Sequence, residues 1–201
     1  MKKICSLLLA LLLLSGCGAD EIAVTTVETT TGSESAADVA SSDTEPMGPF
    51  EVFTTEDLYG NEVTQDVFAD ADLTVINIWG TFCGPCINEM PDLAELSEEY
   101  AAQSVKFIGL VGDAYDSEGK IDEGIVATAK EIVDQTGASY LHLLPENELL
   151  YNVMSQISAF PTTVFVDSEG KQVDYAYLGA ADKETWASRI DAALELVKSD
   201  E

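Results

Sequence analysis

Two kinds of hydrophobic pattern alternate along this chain. Continuous apolar runs of strand length, LTVINIW from Leu73 to Trp79 and VKFIGLV from Val105 to Val111, mark strands buried on both faces. Between them Ile87, Met90, Leu93, Leu96 and Tyr100 recur at helical spacing up to Ala102, which predicts an amphipathic helix kinked by Pro91. Ile125, Ala129, Ile132 and Val133 repeat the helical pattern until Gly137 stops it. A short strand follows at Leu141 to Leu144 and a helix over Glu148 to Met154. Thr162 to Tyr177 reads as a hairpin turning at SEGK, and Asp182 caps a last helix whose Trp186, Ile190, Leu194 and Val197 face inward. Upstream, Phe50 to Phe53 and Val63 to Gln65 read as short strands around the turn Tyr59-Gly60-Asn61. This alternation predicts an α/β fold with a central mixed sheet flanked by helices.

The first residues, MKKICSLLLALLLLSGC, follow another logic. A basic start at Lys2 and Lys3, an apolar run from Ile4 to Leu14 and then small residues form a secretory signal. The run is too short for a stable transmembrane helix. Its end, Leu14-Ser15-Gly16-Cys17, resembles the lipobox of bacterial lipoproteins, in which the cysteine is lipidated and becomes the first residue. Residues 1–16 are therefore expected to be a signal peptide, and Cys17 a lipid anchor holding the protein outside the cytoplasmic membrane. Residues 17–48 are rich in Thr, Ser, Ala, Asp and Glu and poor in large apolar side chains. Such a segment cannot bury enough surface to offset its ordering entropy, so it reads as a disordered acidic tether. Flexible-chain scaling gives it a reach on the order of 30 Å.

Residues 49–201 suit one globular domain with a sizeable core. The formal charge of -28, which loses Lys2 and Lys3 with the signal, argues against nucleic acid and against direct adhesion to anionic lipid. It favours solubility, and a monomer is expected.

With Cys5 removed and Cys17 lipidated, the mature chain keeps two thiols, Cys83 and Cys86. They sit between a buried strand and the start of a helix. Cys83 falls at the first turn, where free backbone N–H groups and the helix dipole favour a thiolate, while Cys86, one turn on, is more enclosed. Only one sulfur is then poised to attack. The spacing lets Cys86 reach back to Cys83 and resolve a mixed disulfide formed there. Pro85 in the first helical turn costs no hydrogen bond. As a mere staple the pair would be poorly placed, since closing so short a loop removes only about 2 kcal/mol of chain entropy. A zinc site would need two more ligands, and the chain offers a single histidine, His142.

WGTFCGPC followed by EMP, then AFPTTVFVDSEGKQV and YLGA, resembles the TlpA/ResA type of the thioredoxin-like family, extracytoplasmic disulfide reductases often anchored by a signal or lipid. The likeness runs from about Phe50 to Val197. It implies a thioredoxin-like fold with an N-terminal β-hairpin extension, and a redox-active Cys83/Cys86 pair that needs no cofactor. It also implies a cis peptide at Phe160-Pro161 lying across from the cysteines, and substrate contacts from Trp79, Phe82, Gly84, Pro85, Phe160 and Pro161. Asn77 stands where many thioredoxins carry a buried Asp. Glu89 matches a Glu that this branch places near its thiols, implying a proton acceptor for Cys86; the alternative is an exposed helix residue. The implied partners are oxidised extracytoplasmic proteins downstream and a CcdA-type membrane thiol transporter upstream. Gly84-Pro85 between the cysteines, as in reducing thioredoxins, implies electron flow toward substrate.

Two other functions share this fold. One is a binding module that docks a partner without redox turnover or holds copper through Cys83, Cys86 and His142, although copper-delivery relatives usually space their cysteines by three residues. A peroxidase-like redoxin would need the pattern P-x(3)-T-x(2)-C, whereas Gly80 and Ile76 stand at those positions here. The chain also departs from the family in GDAYDSEGKIDEG, Gly112 to Gly124, an acidic insertion after the second core strand. Its acids do not match the spacing of a calcium loop, so it reads as a partner-recognition or solvated loop.

The lipobox makes a direct prediction. A fatty-acid probe fed to the producing cell should label the mature protein, and Cys17→Ala should abolish both the label and membrane retention.

Overall fold

The computed structural model describes residues 50–199 apart from 51 and 117. The expected signal peptide, Cys17 and the tether lie outside the described residues. In chain order the elements are β1 (Thr54–Asp57), β2 (Glu62–Thr64), β3 (Leu73–Trp79), α1 (Gly84–Tyr100), β4 (Val105–Val111) and α2 (Glu123–Thr136). There follow β5 (Leu141–Leu144), α3 (Asn147–Asn152), β6 (Thr162–Val166), β7 (Tyr177–Leu178) and α4 (Lys183–Ser199). The strands form one mixed sheet in the order β2-β1-β5-β4-β3-β6-β7. β3, β4 and β5 run parallel, while β6 and β1 add antiparallel on either side. The expected N-terminal hairpin is thus β1–β2, fastened to the sheet through β5.

β3 lies near the middle, and every one of its residues is buried. Period-two alternation splits it between two layers. Ile76 and Ile78 pack with Phe50, Phe53, Phe68, Leu149 and Val153 on one face. Leu73 and Val75 face α1 and α4, meeting Leu93, Leu96, Trp186 and Ile190. Trp79, at the strand end, joins Cys83, Cys86 and Met90 of α1 and Val126 and Ala129 of α2. Each fully buried side chain of this kind contributes roughly 1.5–3 kcal/mol. The Asn at position 77 is therefore presented to the helix layer, which matters for the site.

Local chemistry sets the element ends. The Asp122 carboxylate accepts the N–H groups of Gly124 and Ile125 and starts α2, and Gly137 ends it at φ +73°. Asp182 accepts the N–H of Thr185 at the start of α4. Pro91 does not interrupt α1, which runs unbroken from Gly84 to Tyr100.

Three expectations change. The first strand lies at Thr54–Asp57, not at Phe50 to Phe53. Phe53 instead gives its N–H to the side chain of Gln65, while both phenylalanine rings pack edge-on against Phe68. Gln65 itself opens a 3-10 turn to Phe68. The return arm of the second hairpin pairs regularly only at Tyr177–Leu178, with a lone bridge between Val166 and Gln172 nearer the turn. In the insertion, the Asp116 side chain accepts the N–H groups of Glu118 and Lys120. That carboxylate is spent on closing a turn.

Gly109 of β4 sits beside His142 of β5. A Cβ there would lie 2.0 Å from His142 Nδ1 and 2.5 Å from Cε1, and the imidazole is pinned on both sides and cannot yield. Gly109→Ala should destabilise the domain by about 2 kcal/mol, read as a lower urea midpoint at unchanged slope.

Candidate active site

The loop from Gly80 to Phe82 carries the chain from the end of β3 into α1, so the first helical turn stands at the C-terminal end of a central strand. Cys83 is the N-cap of that helix, in extended conformation, and its Sγ accepts the N–H of Cys86 at 3.3 Å. The two sulfurs are joined in a disulfide with Cα atoms 5.3 Å apart. Their exposures differ: 6% for Cys83 and none for Cys86. An attacking reagent therefore meets Cys83 first. Once the disulfide is reduced, the same cap N–H and the positive helix end favour the Cys83 thiolate.

Around the sulfurs lie the residues expected to meet substrate. Phe82 is 73% exposed and stands edge-on to Phe160 at 5.9 Å. Phe160 packs against the cluster holding both cysteines, and the Phe160–Pro161 bond is cis. Gly84 and Pro85 are exposed on the first turn. Gly112 makes room for this arrangement, since a Cβ there would fall 2.5 Å from the Phe160 ring. Trp79 is a correction. It is wholly buried and cannot present a face to substrate; a side chain at the end of a strand covered on both faces points into the core.

Beneath the cysteines lies a network that the sequence left open. Glu89 is 3% exposed, so it is not a surface residue of α1. Its Oε1 accepts the Asn77 amide at 3.1 Å, and its Oε2 accepts the Ala181 backbone N–H and the Trp186 indole N–H, both at 3.1 Å. Asn77 Nδ2 also donates to Thr163 Oγ1 at 3.0 Å. Burial raises the Glu89 pKa above the ordinary carboxyl range; the donors and the Arg189 charge oppose that rise. Glu89 follows Cys86 by three residues, which places both on one face of α1. A carboxyl so held is suited to taking up a proton.

His142 is spoken for. Trp79 Nε1–H donates to its Nδ1 at 3.2 Å, so its Nε2 carries the proton and donates to the Ala138 carbonyl at 2.8 Å. Tyr140 stacks on its other side at 4.8 Å. Neither ring nitrogen is free for a metal. Asp113, at the root of the acidic insertion, accepts the Thr81 N–H at 2.9 Å and the Thr81 hydroxyl at 2.6 Å, fixing the loop that carries Cys83. Nothing in the spacing of the acids signals that role, and the same holds for Trp186, which reads from sequence as a core residue.

The redoxin family profile matches residues 42–194 of the chain. The chain belongs to the redoxin family. Within it the relatives are of the TlpA/ResA thioredoxin-like type. The thiol-disulfide oxidoreductase ResA of Geobacillus kaustophilus is 30% identical over 149 residues, 73% of this chain and 74% of that protein. ResA of Bacillus thuringiensis is 28% identical over 99 residues, 49% of this chain and 51% of that protein. The chain thus spans about half the length of some curated relatives it matches. Among solved structures, a thiol:disulfide interchange protein of Chlorobium tepidum covers 76% of this chain and 99% of its own, with TM-score 0.59 and 19% identity. That likeness carries the thioredoxin-like fold.

In this redoxin the motif tryptophan supports the site from below through His142. Burial lowers the His142 pKa from 6.5 to about 4, against a smaller opposing effect of the Ala138 carbonyl. The folded value is depressed, so the unfolded chain binds the extra proton between these limits. The stability contributed by neutral His142 is full above pH 6.5 and is lost as pH falls toward 4, a change of about 3 kcal/mol. Urea unfolding across this window should show that loss, and His142→Gln should lack its share of the slope.

Proposed function

We propose that this redoxin is a thiol-disulfide oxidoreductase that reduces disulfides of extracytoplasmic proteins while anchored to the membrane by lipid on Cys17. The observation that carries the reading is the asymmetry of the pair: Cys83 caps the helix and keeps a small exposed area, and Cys86 is sealed one turn behind it. The Cys83 thiolate attacks a substrate disulfide, one sulfur leaves as a thiolate, and a mixed disulfide forms. Cys86 then gives up its proton and attacks Cys83 Sγ. The Cys83–Cys86 disulfide forms, the second substrate sulfur leaves, and two electrons have passed to substrate.

Glu89 receives the Cys86 proton in this scheme, and the cis Phe160–Pro161 segment with Phe82, Gly84 and Pro85 forms the contact surface for an extended substrate chain. The oxidised pair needs a dithiol donor, and a CcdA-type membrane thiol transporter supplies that chemistry. Among the described residues no helix is long and apolar enough to cross a membrane.

Removing the resolving thiol tests the scheme. Cys86→Ser should hold substrates as mixed disulfides on Cys83, visible as reducible adducts on non-reducing gels, and Cys83→Ser should show none. Equal trapping through Cys86 would show that the nucleophile is the other sulfur.

A further inference from the structure

The carboxyl of Glu89 is held by α4 as much as by its own helix. Trp186 is fully buried, and its indole N–H meets Oε2 at 3.1 Å. Arg189, the only arginine in the chain, lies one turn further along α4. Its guanidinium carbon stands 4.6 Å from the centre of the Trp186 ring and 4.3 Å from that of Tyr177. The two rings stand edge-on to each other at 85°, and the guanidinium lies within cation–π distance of both. The positive charge over the indole polarises its N–H toward Glu89. The backbone N–H of Ala181, just before the same helix, completes the hold on Oε2.

We propose that Trp186 and Arg189 are positioning residues for Glu89: together they favour the charged form of a carboxyl that burial disfavours, and so keep it able to accept the proton of Cys86. The inference rests on Glu89 acting as the proton acceptor in resolution. Around Glu89 the titratable or charged groups are Arg189 from α4, Tyr140 ahead of β5, and Cys86 on its own helix. Asn77 from β3 and, through it, Thr163 from β6 are neutral. Arg189 is the only cation in this set. The balance follows from physics. Burial pushes the carboxyl toward its neutral form, and each donor or positive charge lost pushes it further. Less of it is then ionised at neutral pH, and resolution slows there and recovers as pH rises.

Two measurements on the full chain carrying Cys5→Ser and Cys17→Ser separate the positioning from the role of Glu89. First, 13C NMR of the Glu89 carboxyl in the disulfide form reads its titration directly, free of coupling to the Cys86 thiol. Arg189→Met and Trp186→Phe should each move it up by about one pH unit, the usual strength of a charge-assisted donor. Arg189→Lys, which keeps the charge but not the planar guanidinium, should recover only part of the shift.

Second, the reduced protein reacts with dithiobis(2-nitrobenzoate). Cys83 releases the first thionitrobenzoate on attack, and Cys86 releases the second on resolution as both cysteines are oxidised to the disulfide. The second phase should slow about tenfold at pH values below the shifted limb, while the first is unchanged, and Glu89→Gln should remove the limb. A Glu89 titration unmoved in both Arg189→Met and Trp186→Phe overturns the proposal. A carboxyl that moves while the second phase keeps its pH profile upholds the positioning and overturns Glu89 as the base.

Discussion

A carboxyl group cannot be buried in this core unless donors reach it from several directions, and Glu89 sets that condition for the whole site. An unpartnered charge in such a place costs several kcal/mol. Its three hydrogen bonds come from Asn77 of β3, Trp186 of α4 and the Ala181 backbone. Satisfying Glu89 therefore fixes how α1 docks on the sheet and where α4 closes over it. The cysteines at the start of α1 inherit their position from that docking.

The asymmetry between the two sulfurs follows from the same docking. Cys86 points into a cluster with Trp79, Met90 and Val111, whereas Cys83 lies at the rim where the helix begins. The backbone N–H of Cys86 that reaches Cys83 Sγ belongs to a helix end with no carbonyl to receive it. One sulfur is thus electrostatically favoured and reachable, and the other is shielded one helical turn behind it.

A second buried polar unit supports the site from the other side. His142 has room only because position 109 lacks a side chain, and its Nδ1 orients the Trp79 indole. Asp113 does comparable work at the surface, tying the acidic insertion to Thr81 two residues before Cys83. The insertion is therefore joined to the active-site loop by charge-assisted hydrogen bonds.

By itself the sequence determined the central strands, the three long helices and the place of the dithiol, because these depend on local signals: apolar runs, helical periodicity, and a cysteine pair between strand and helix. Strand ends near Phe53 and the reach of the second hairpin were not legible. An apolar run says that side chains are buried, not which backbone they pair with. Tertiary structure alone decided the surroundings of Glu89, since a Glu on α1 reads the same whether it faces water or Trp186, 97 residues away in sequence. It also decided that Trp79 lies wholly in the core, that His142 has no free nitrogen, and that Asp113 holds the loop. Each of these rests on contacts between residues far apart in the chain, which leave no periodic trace in the sequence.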